Sequence, residues 1–129
     1  MKKYSNTTEL RQSIVEGINI LADNVSATLG PKGQNVIIQQ KGKPPFVTKD
    51  GVTVAKFVNL EDPFQNAAVE ILKQASLQTN IEAGDGTTTA TVLARSIINE
   101  GQKYITSGIS PIELKRGMDK ACDAIVENL

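Results

Sequence analysis

The chain has 129 residues, a length that is typical of one domain and sufficient for a buried core. Its 14 basic and 14 acidic residues give a formal net charge of +0, which argues against a nucleic-acid footprint and a polybasic membrane patch. With 1 Cys and no His, the chain can form neither an internal disulfide nor a Cys/His zinc site.

The first third of the chain predicts a helix followed by a hairpin. Apolar residues recur at three- and four-residue steps over about residues 7–28, and the Gly-Pro turn at 30–33 ends that helix. Two short strands are predicted at Val36–Ile38 and Phe46–Thr48, with Lys49-Asp50-Gly51 as a further turn. The polar stretch that follows Met1 lacks a secretory signal, and no apolar run approaches the ~18 residues of a membrane span. We therefore expect a soluble, cytoplasmic protein.

Three more helices are predicted in the rest of the chain. Asp62-Pro63 begins the first of them, with Asp62 as cap, Pro63 at the first helical position and Gln65 completing a capping box. Its predicted inward face consists of Phe64, Ala68, Ile71, Leu72 and Ala75. The next helix follows a glycine-rich loop and ends at Gly108.

Ser110-Pro111 begins the last helix, whose apolar stripe includes Cys122 as an expected buried residue. The fold class predicted is mainly α with a small β-hairpin. Because the last helix is still periodic at Leu129, we expect a sequence that is cut within a longer domain.

The segment 83–91 is the most informative part of the chain. Two glycines flank Asp85, and three threonines follow at the start of a predicted helix. A helix N-terminus favours an anion, whereas Asp85 would repel a bare phosphate. A hard cation such as Mg²⁺, bridging the carboxylate to phosphate oxygens, would reconcile the two. The pattern predicts a site for a metal-bound nucleotide, and a simple Asp-Gly turn with capping threonines remains the alternative.

Two other turns could converge with this loop on one ligand, at Thr28–Pro31 and Lys49–Gly51. Each has an ordinary alternative, since the first resembles a helix-ending turn and the second a hairpin turn. The chain has neither a P-loop nor the dinucleotide-binding fingerprint, and without His it offers no catalytic triad. The residues alone leave open whether the three turns meet.

Several motifs in register resemble the GroEL-type (group I, bacterial and organellar) chaperonins. They are Thr28-Leu29-Gly30-Pro31-Lys32-Gly33, Lys49-Asp50-Gly51-Val52, Leu60-Glu61-Asp62, the run from Gly84 to Ala94, and Leu114 to Ala121. The resemblance covers nearly the whole chain, from about Thr8 to Leu129, and implies the N-terminal part of an equatorial domain, 1–129, with the intermediate and apical domains absent. Gln34, where Arg is usual, and the stretch 78–82 depart from the family pattern.

The resemblance also implies a site for ATP or ADP with Mg²⁺, and K⁺ as a further candidate ion. The residues carried over to that site are Thr28, Leu29, Gly30, Pro31, Lys49, Asp85, Gly86, Thr87, Thr88 and Thr89, with Asp85 as the metal ligand and Asp50 as an auxiliary residue that orients water. The hairpin between Val36 and Thr48 resembles the element that adds strands to a neighbouring subunit.

Two functions follow from the resemblance. A full-length parent would be a chaperonin ATPase that assists protein folding through ATP-driven cycling of a ring, whereas this chain lacks the hydrolytic aspartate and is expected not to turn ATP over. Its partners would be other chaperonin subunits, in a homo-oligomer or a full-length ring, while unfolded proteins and a co-chaperonin would bind the missing domains. The bacterial cytosol, or an organellar matrix or stroma after removal of a targeting segment, is the expected location. The alternative is a non-enzymatic oligomerisation module, which would use the wide apolar faces and the hairpin edge.

Overall fold

The computed structural model describes residue 4 and residues 6–129, which divide into one compact unit up to Arg95 and a second from Ser96. In chain order the elements are α1 (Thr7–Ser26), β1 (Val36–Ile38), β2 (Phe46–Thr48), α2 (Gly51–Phe57), α3 (Pro63–Ala83), α4 (Thr87–Thr106) and α5 (Pro111–Glu127). The mainly α fold with a small hairpin is thereby confirmed. In the described part of the chain, the helices are too short or too polar to cross a bilayer. The polar stretch after Met1, in which no secretory signal is predicted, lies partly outside the described residues.

The core of the first unit lies mainly between α1 and α3. Leu21 and Val25 of α1 and Val69 of α3 are fully buried. The two helices approach closely because α1 has a glycine at the contact: a Cβ on Gly17 would lie 2.4 Å from the backbone oxygen of Gln65. Ordinary van der Waals contact needs about 3.5–4.0 Å, so this spacing requires glycine.

The two long core helices of the first unit, α1 and α3, each begin with a side-chain cap. Asn6 accepts from the backbone of Glu9 at the start of α1, and the Asp62 carboxylate accepts from the N–H groups of Phe64 and Gln65 at the start of α3. The predicted second half of the capping box is wrong, since the side-chain amide of Gln65 donates to Glu16 of α1 instead, at 2.8 Å. Gln65 therefore joins the two core helices rather than closing its own first turn.

The hairpin has the predicted strands, Ile38 of β1 is buried, and an aromatic pair joins β2 to α2. β1 and β2 pair antiparallel with Val36 opposite Thr48. Phe46 meets Phe57 of α2 edge to face, with ring centroids 5.2 Å apart. The helix α2 was not predicted, and the hairpin-turn alternative for Asp50-Gly51 is wrong because Asp50 caps this helix.

The inward face of α3 is rotated from the predicted one. Ala68 and Leu72 are buried as expected, whereas Ile71 and Ala75 are exposed. The remaining buried residues of this helix are Val69, Lys73 and Ser76. Both polar side chains have partners, since Lys73 pairs with Glu70 at 2.8 Å and Ser76 bonds Thr91 at 2.8 Å. Because of these partners, the two polar side chains can be buried at positions that a hydrophobic periodicity would predict to be exposed.

The second unit, residues 96–129, contains no buried residue. The end of α4 is a Schellman motif around Gly108, whose φ is 101°: the N–H of Ile109 donates to the carbonyl of Tyr104. The predicted stop at Gly108 is confirmed. A shallow apolar groove of about 330 Å³ lies between α4 and α5 and is lined in part by Ile97, Tyr104, Leu114 and Met118. The expectation that Cys122 is buried is wrong, since its side chain lies on an exposed helix.

Candidate functional site

The three turns of the sequence prediction meet in the first unit around one cleft of about 310 Å³. Its lining residues are Thr28, Leu29, Gly30, Lys49, Asp50, Gly51, Val52, Asp85, Gly86, Thr87, Thr88 and Thr89. This volume lies at the lower end of the range of roughly 300–1,000 Å³ that is usual for ligand sites. The cleft is therefore large enough for part of a nucleotide, such as its phosphates and a metal ion.

Gly51 is the point at which the three turns touch. A Cβ at this position would lie 2.1 Å from the hydroxyl oxygen of Thr88 and 3.2 Å from that of Thr28. Gly51 itself is buried at the start of α2. Any larger residue here would push two walls of the cleft apart, so a glycine is required for the convergence.

The first wall of the cleft is the turn that follows α1. Here Gly30 has a φ of 74°, and the N–H of Gly33 donates to the carbonyl of Gly30 at 2.9 Å. The Thr28 hydroxyl donates to the carbonyl of Val25 at 2.8 Å, which leaves its lone pairs as acceptors. This segment is thus both a helix-ending turn and a wall of the cleft. Pro31 is exposed and does not line the cleft.

The second wall carries Lys49 and Asp50, and Asp50 is engaged in capping α2. One carboxylate oxygen accepts from the N–H of Val52, and the other accepts from both the N–H and the hydroxyl of Thr53. The hydroxyl bond from Thr53 is the largest cause that lowers the pKa of Asp50 below its ordinary value, and the nearby charge of Lys56 adds to it. Asp50 is consequently held as a carboxylate and is a weakened base.

The third wall is the glycine-rich loop between α3 and α4. Gly84 and Gly86 have φ values of 75° and 89°, which only glycine adopts without strain, and Asp85 lies between them. One oxygen of the Asp85 carboxylate accepts from the N–H of Gly86 at 2.7 Å. Among the described residues no hydrogen bond reaches its other oxygen, which is therefore available to a cation.

The first turn of α4 presents both backbone and side-chain donors at the cleft. Gly86 precedes the helix and has no side chain with which to cap it, so the first N–H groups lack an intrahelical partner. Thr87 is 2% exposed, and within the described part of the chain its hydroxyl oxygen is the buried side-chain polar atom without a hydrogen bond. A buried hydroxyl without a partner is costly, and it belongs to a residue that lines the cleft.

The donor set suits Mg²⁺ bound together with phosphate better than a metal held by protein alone. Lys49 is the basic residue in the lining, against the two carboxylates of Asp50 and Asp85. In the described residues no group of three or more His, Cys, Asp or Glu side chains comes together. Mg²⁺ is commonly held by one or two carboxylates, phosphate oxygens and water, so Asp85 fits as its protein ligand.

The structure therefore brings together all the sequence-derived site residues except Pro31. Gly51, predicted as part of the second turn but not as a binding residue, also lines the cleft, and Val52 is a further lining residue that the site prediction did not include. The signal for Gly51 was present as a glycine directly after a capping aspartate, but its close contacts depend on chain segments distant in sequence. Gln34 and the stretch 78–82, which depart from the family pattern, lie outside the lining. The methyl group of Thr79 lies 3.5 Å from the position that a Cβ on Gly86 would take.

The fold is a helical domain with a small hairpin and a polar cleft formed by glycine-rich turns. Consistent with this architecture, the model of the TCP-1/cpn60 chaperonin family matches residues 21–129. The match covers most of the chain, and the chain belongs to this family. Membership implies assembly with other chaperonin subunits.

Proposed function

We propose that the cleft binds the phosphate groups of ATP or ADP together with Mg²⁺. The observation that carries the proposal is the contact of three separate turns at Gly51, beside the buried Thr87 hydroxyl that has no partner. The free N–H groups of the first turn of α4 would receive phosphate oxygens, and the helix dipole favours an anion there. The chain would thus contribute the phosphate and metal half of a nucleotide site.

The charges in the cleft make the metal necessary in this proposal. A bare polyphosphate would meet the carboxylates of Asp50 and Asp85 with only Lys49 as a counter-charge. When bound, Mg²⁺ would neutralise part of the phosphate charge and join it to Asp85. K⁺ near the backbone of Lys49 is a further element, supported by the resemblance alone, and titrations in NaCl and KCl would test it.

Binding without turnover is the activity we propose for this chain. Phosphoryl transfer requires a positioned water in addition to metal and charge stabilisation. Asp50 is the other carboxylate of the lining, but both of its oxygens accept hydrogen bonds from α2 and its pKa is lowered. An effective general base has a pKa near the working pH, so Asp50 is suited to orienting water rather than to removing its proton.

Within the family, we propose the group I branch and a place in the N-terminal part of an equatorial domain. The support is the run Gly33-Gln34-Asn35-Val36 and the three threonines 87–89. In such a subunit, ATP-driven cycling of a ring assists folding, and substrate proteins and a co-chaperonin would contact other domains. A bacterial cytosol or an organellar matrix or stroma is the location that this branch implies.

Calorimetric titration of the full chain with ADP and ATP, with and without Mg²⁺, tests the proposal. Mg²⁺-dependent binding that is lost in Asp85→Ala is expected. The matched control is Asp123→Ala, which removes the same charge from an exposed position on α5. Equal binding by wild type and Asp85→Ala, or no binding by a folded wild-type chain, would contradict the proposal. Sustained ATPase activity that Asp85→Ala abolishes would contradict binding without turnover.

A second candidate function is that of an oligomerisation module, which a specific feature of the hairpin favours. Among the described residues the sheet consists of β1 and β2, so each strand there leaves one edge unpaired, and Ile37 and Val47 are exposed. Unpaired edges with apolar side chains recruit further strands. We expect Val47→Lys to shift self-association toward monomer in sedimentation velocity, whereas Val126→Lys, an exposed valine on α5, is the control. A monomer over a wide concentration range would exclude self-association through this edge.

A further inference from the structure

We propose that Ser76 and Thr91 are positioning residues for the nucleotide cleft. They form a buried chain of hydroxyl groups that runs from α3 to the first turn of α4 and ends on the carbonyl of Thr87. Neither side chain lines the cleft, so both would act through the peptide group that follows Thr87. The inference rests on the proposed function, because it concerns how the same cleft is held ready for phosphate.

The geometry assigns a direction to this chain of hydrogen bonds. The hydroxyl of Thr91 donates to the carbonyl oxygen of Thr87 at 2.8 Å. A threonine hydroxyl has one hydrogen, so in the 2.8 Å bond between Ser76 and Thr91 the serine must be the donor. The two residues are 1% and 0% exposed, so water does not compete for these bonds.

The chain of hydroxyl groups ends on a peptide group at the cleft. The Thr87 carbonyl and the Thr88 N–H belong to one peptide unit, and Thr88 lines the cleft. This N–H is in the first turn of α4, where no intrahelical acceptor exists. A hydrogen bond to the carbonyl polarises the peptide, and connected bonds strengthen one another by roughly 10–30% each. The hydrogen-bonded hydroxyl groups of Ser76 and Thr91 therefore make the Thr88 N–H a stronger donor toward phosphate.

The same bonds also fix where the first turn of α4 lies. The bond between Ser76 and Thr91 joins α4 to α3 at a dry contact, one turn away from the buried Thr87 hydroxyl that lacks a partner. Thr87 thus has a carbonyl that the hydroxyl chain holds and a buried hydroxyl that has no partner, in a residue that lines the cleft. A buried pair of hydroxyl groups is costly to leave half-bonded, so the bond resists rotation of α4.

Binding of Mg²⁺ and ADP to variants of the full chain, measured by calorimetry well below the unfolding temperature, tests the inference. Thr91→Val keeps the shape and removes the hydroxyl, and we expect binding that is weaker by about fivefold to tenfold. Thr91→Ser restores the hydroxyl and should bind within about twofold of wild type, on the same reasoning. Ser96→Ala, an exposed serine on the same helix, is the matched control and should leave binding unchanged.

The double variant Ser76→Ala/Thr91→Val separates positioning from mere stability. Removing both partners of a buried bond is far less destabilising than removing one, so stability should recover relative to Thr91→Val. Binding should remain weak, because the Thr87 carbonyl still lacks its hydroxyl donor. If binding recovers together with stability, the two residues are only structural and the inference is overturned.

An NMR measurement on the ligand-free chain keeps this inference separable from the proposed function. The amide proton of Thr88 should shift upfield in Thr91→Val and return in Thr91→Ser, since its peptide loses and regains polarisation. An unchanged Thr88 shift would overturn the inference even where the wild type binds nucleotide. Failure of the wild type to bind, with the Thr88 shift as expected, would overturn the proposed function and the role in binding but leave the hydroxyl chain itself established.

Discussion

The unit up to Arg95 and the unit from Ser96 have equally regular helices, yet only the first has a core. In the first unit, Leu21, Val25 and Val69 are fully buried, whereas in residues 96–129 nothing is buried. The apolar spacing of α5 is as clear as that of α1. An amphipathic pattern therefore predicts a helix with an apolar face, while burial of that face depends on a second surface that covers it.

Three glycines within helices show the same difference. Gly17 and Gly51 lie at contacts where a Cβ would fall within 2.5 Å of another segment, whereas Gly117 has nothing within 4 Å. The candidate site also lies entirely in the first unit. Close packing and the cleft thus have a common origin, because a cleft with defined walls needs elements that are fixed against one another.

The largest expected effect comes from deleting apolar side chains in the two units. Leu72 is 4% exposed in the first unit, so Leu72→Ala should lower the free energy of unfolding by about 2–5 kcal/mol through lost burial and a cavity. Ile125 is 62% exposed in the second unit, and Ile125→Ala should change it by less than about 0.5 kcal/mol. Urea denaturation followed by circular dichroism measures both. Equal effects would show that α5 is covered in solution and would contradict the difference in burial between the two units.

Replacing each of two helical glycines by alanine should change stability in opposite directions. Gly17→Ala places a Cβ 2.4 Å from the backbone oxygen of Gln65, and overpacking of this kind costs about 1–3 kcal/mol despite the better helix propensity of alanine. Gly117→Ala meets no neighbour and should stabilise α5 by about 0.8–1.0 kcal/mol. Denaturation for the first variant and amide hydrogen exchange in α5 for the second are the measurements. A stabilising Gly17→Ala would contradict the close approach of α1 and α3.

The N-caps of α3 and α5 provide a smaller contrast. The Asp62 carboxylate accepts two backbone hydrogen bonds, so Asp62→Ala should destabilise by about 1 kcal/mol. Ser110 precedes α5 in extended conformation but makes no side-chain cap bond, so Ser110→Ala should stay within about 0.5 kcal/mol of wild type. Thermal unfolding of both variants tests this. A loss for Ser110→Ala as large as that for Asp62→Ala would show that the α5 cap forms in solution.

The smallest effect concerns the titration of Asp50 in the cleft. Its pKa in the folded chain lies below the ordinary value of 3.8, mainly because of the hydroxyl bond from Thr53. A lowered folded pKa means a contribution to stability that is present above pH 3.8 and is lost as the pH falls through the folded pKa. We expect the carboxyl carbon of Asp50 to titrate below 3.8 by NMR, and Thr53→Val to bring it closer to that value.

Asp50→Asn is the control for this titration. Asparagine also caps helices, so α2 should persist while this part of the pH dependence of stability disappears. A carboxyl carbon that titrates at 3.8 or above would contradict the hydrogen-bonded cap at Asp50.

Much of the architecture could be predicted because local chemistry decides it. The start of α3 at Asp62-Pro63, the stop of α4 at Gly108 and the two hairpin strands all follow from residues within a few positions of the boundary. The helix α2 was missed because its seven residues are short for a periodicity. Its signal was Asp50, whose role as a cap becomes visible only when the N–H groups of the next turn are in place.

The candidate site was predictable in its parts but not in its assembly. The segment 85–89 stood out because an aspartate between glycines precedes threonines at a helix start, and the turns around 28–31 and 49–51 were singled out with it by the resemblance. That they meet at Gly51, that Pro31 stays outside and that Thr87 is buried without a partner depend on contacts between distant segments. No local pattern encodes those contacts.

The sequence by itself determined the helices other than α2, the hairpin strands and the residues with chemistry, since caps, glycines and periodicity act over short distances. Only the tertiary structure decided which apolar faces are covered. It buried Val69, Lys73 and Ser76 and left Ile71 and Cys122 exposed. The physical reason is that burial is a property of two surfaces, and a buried polar group is acceptable only where a partner such as Glu70 or Thr91 is supplied by the fold.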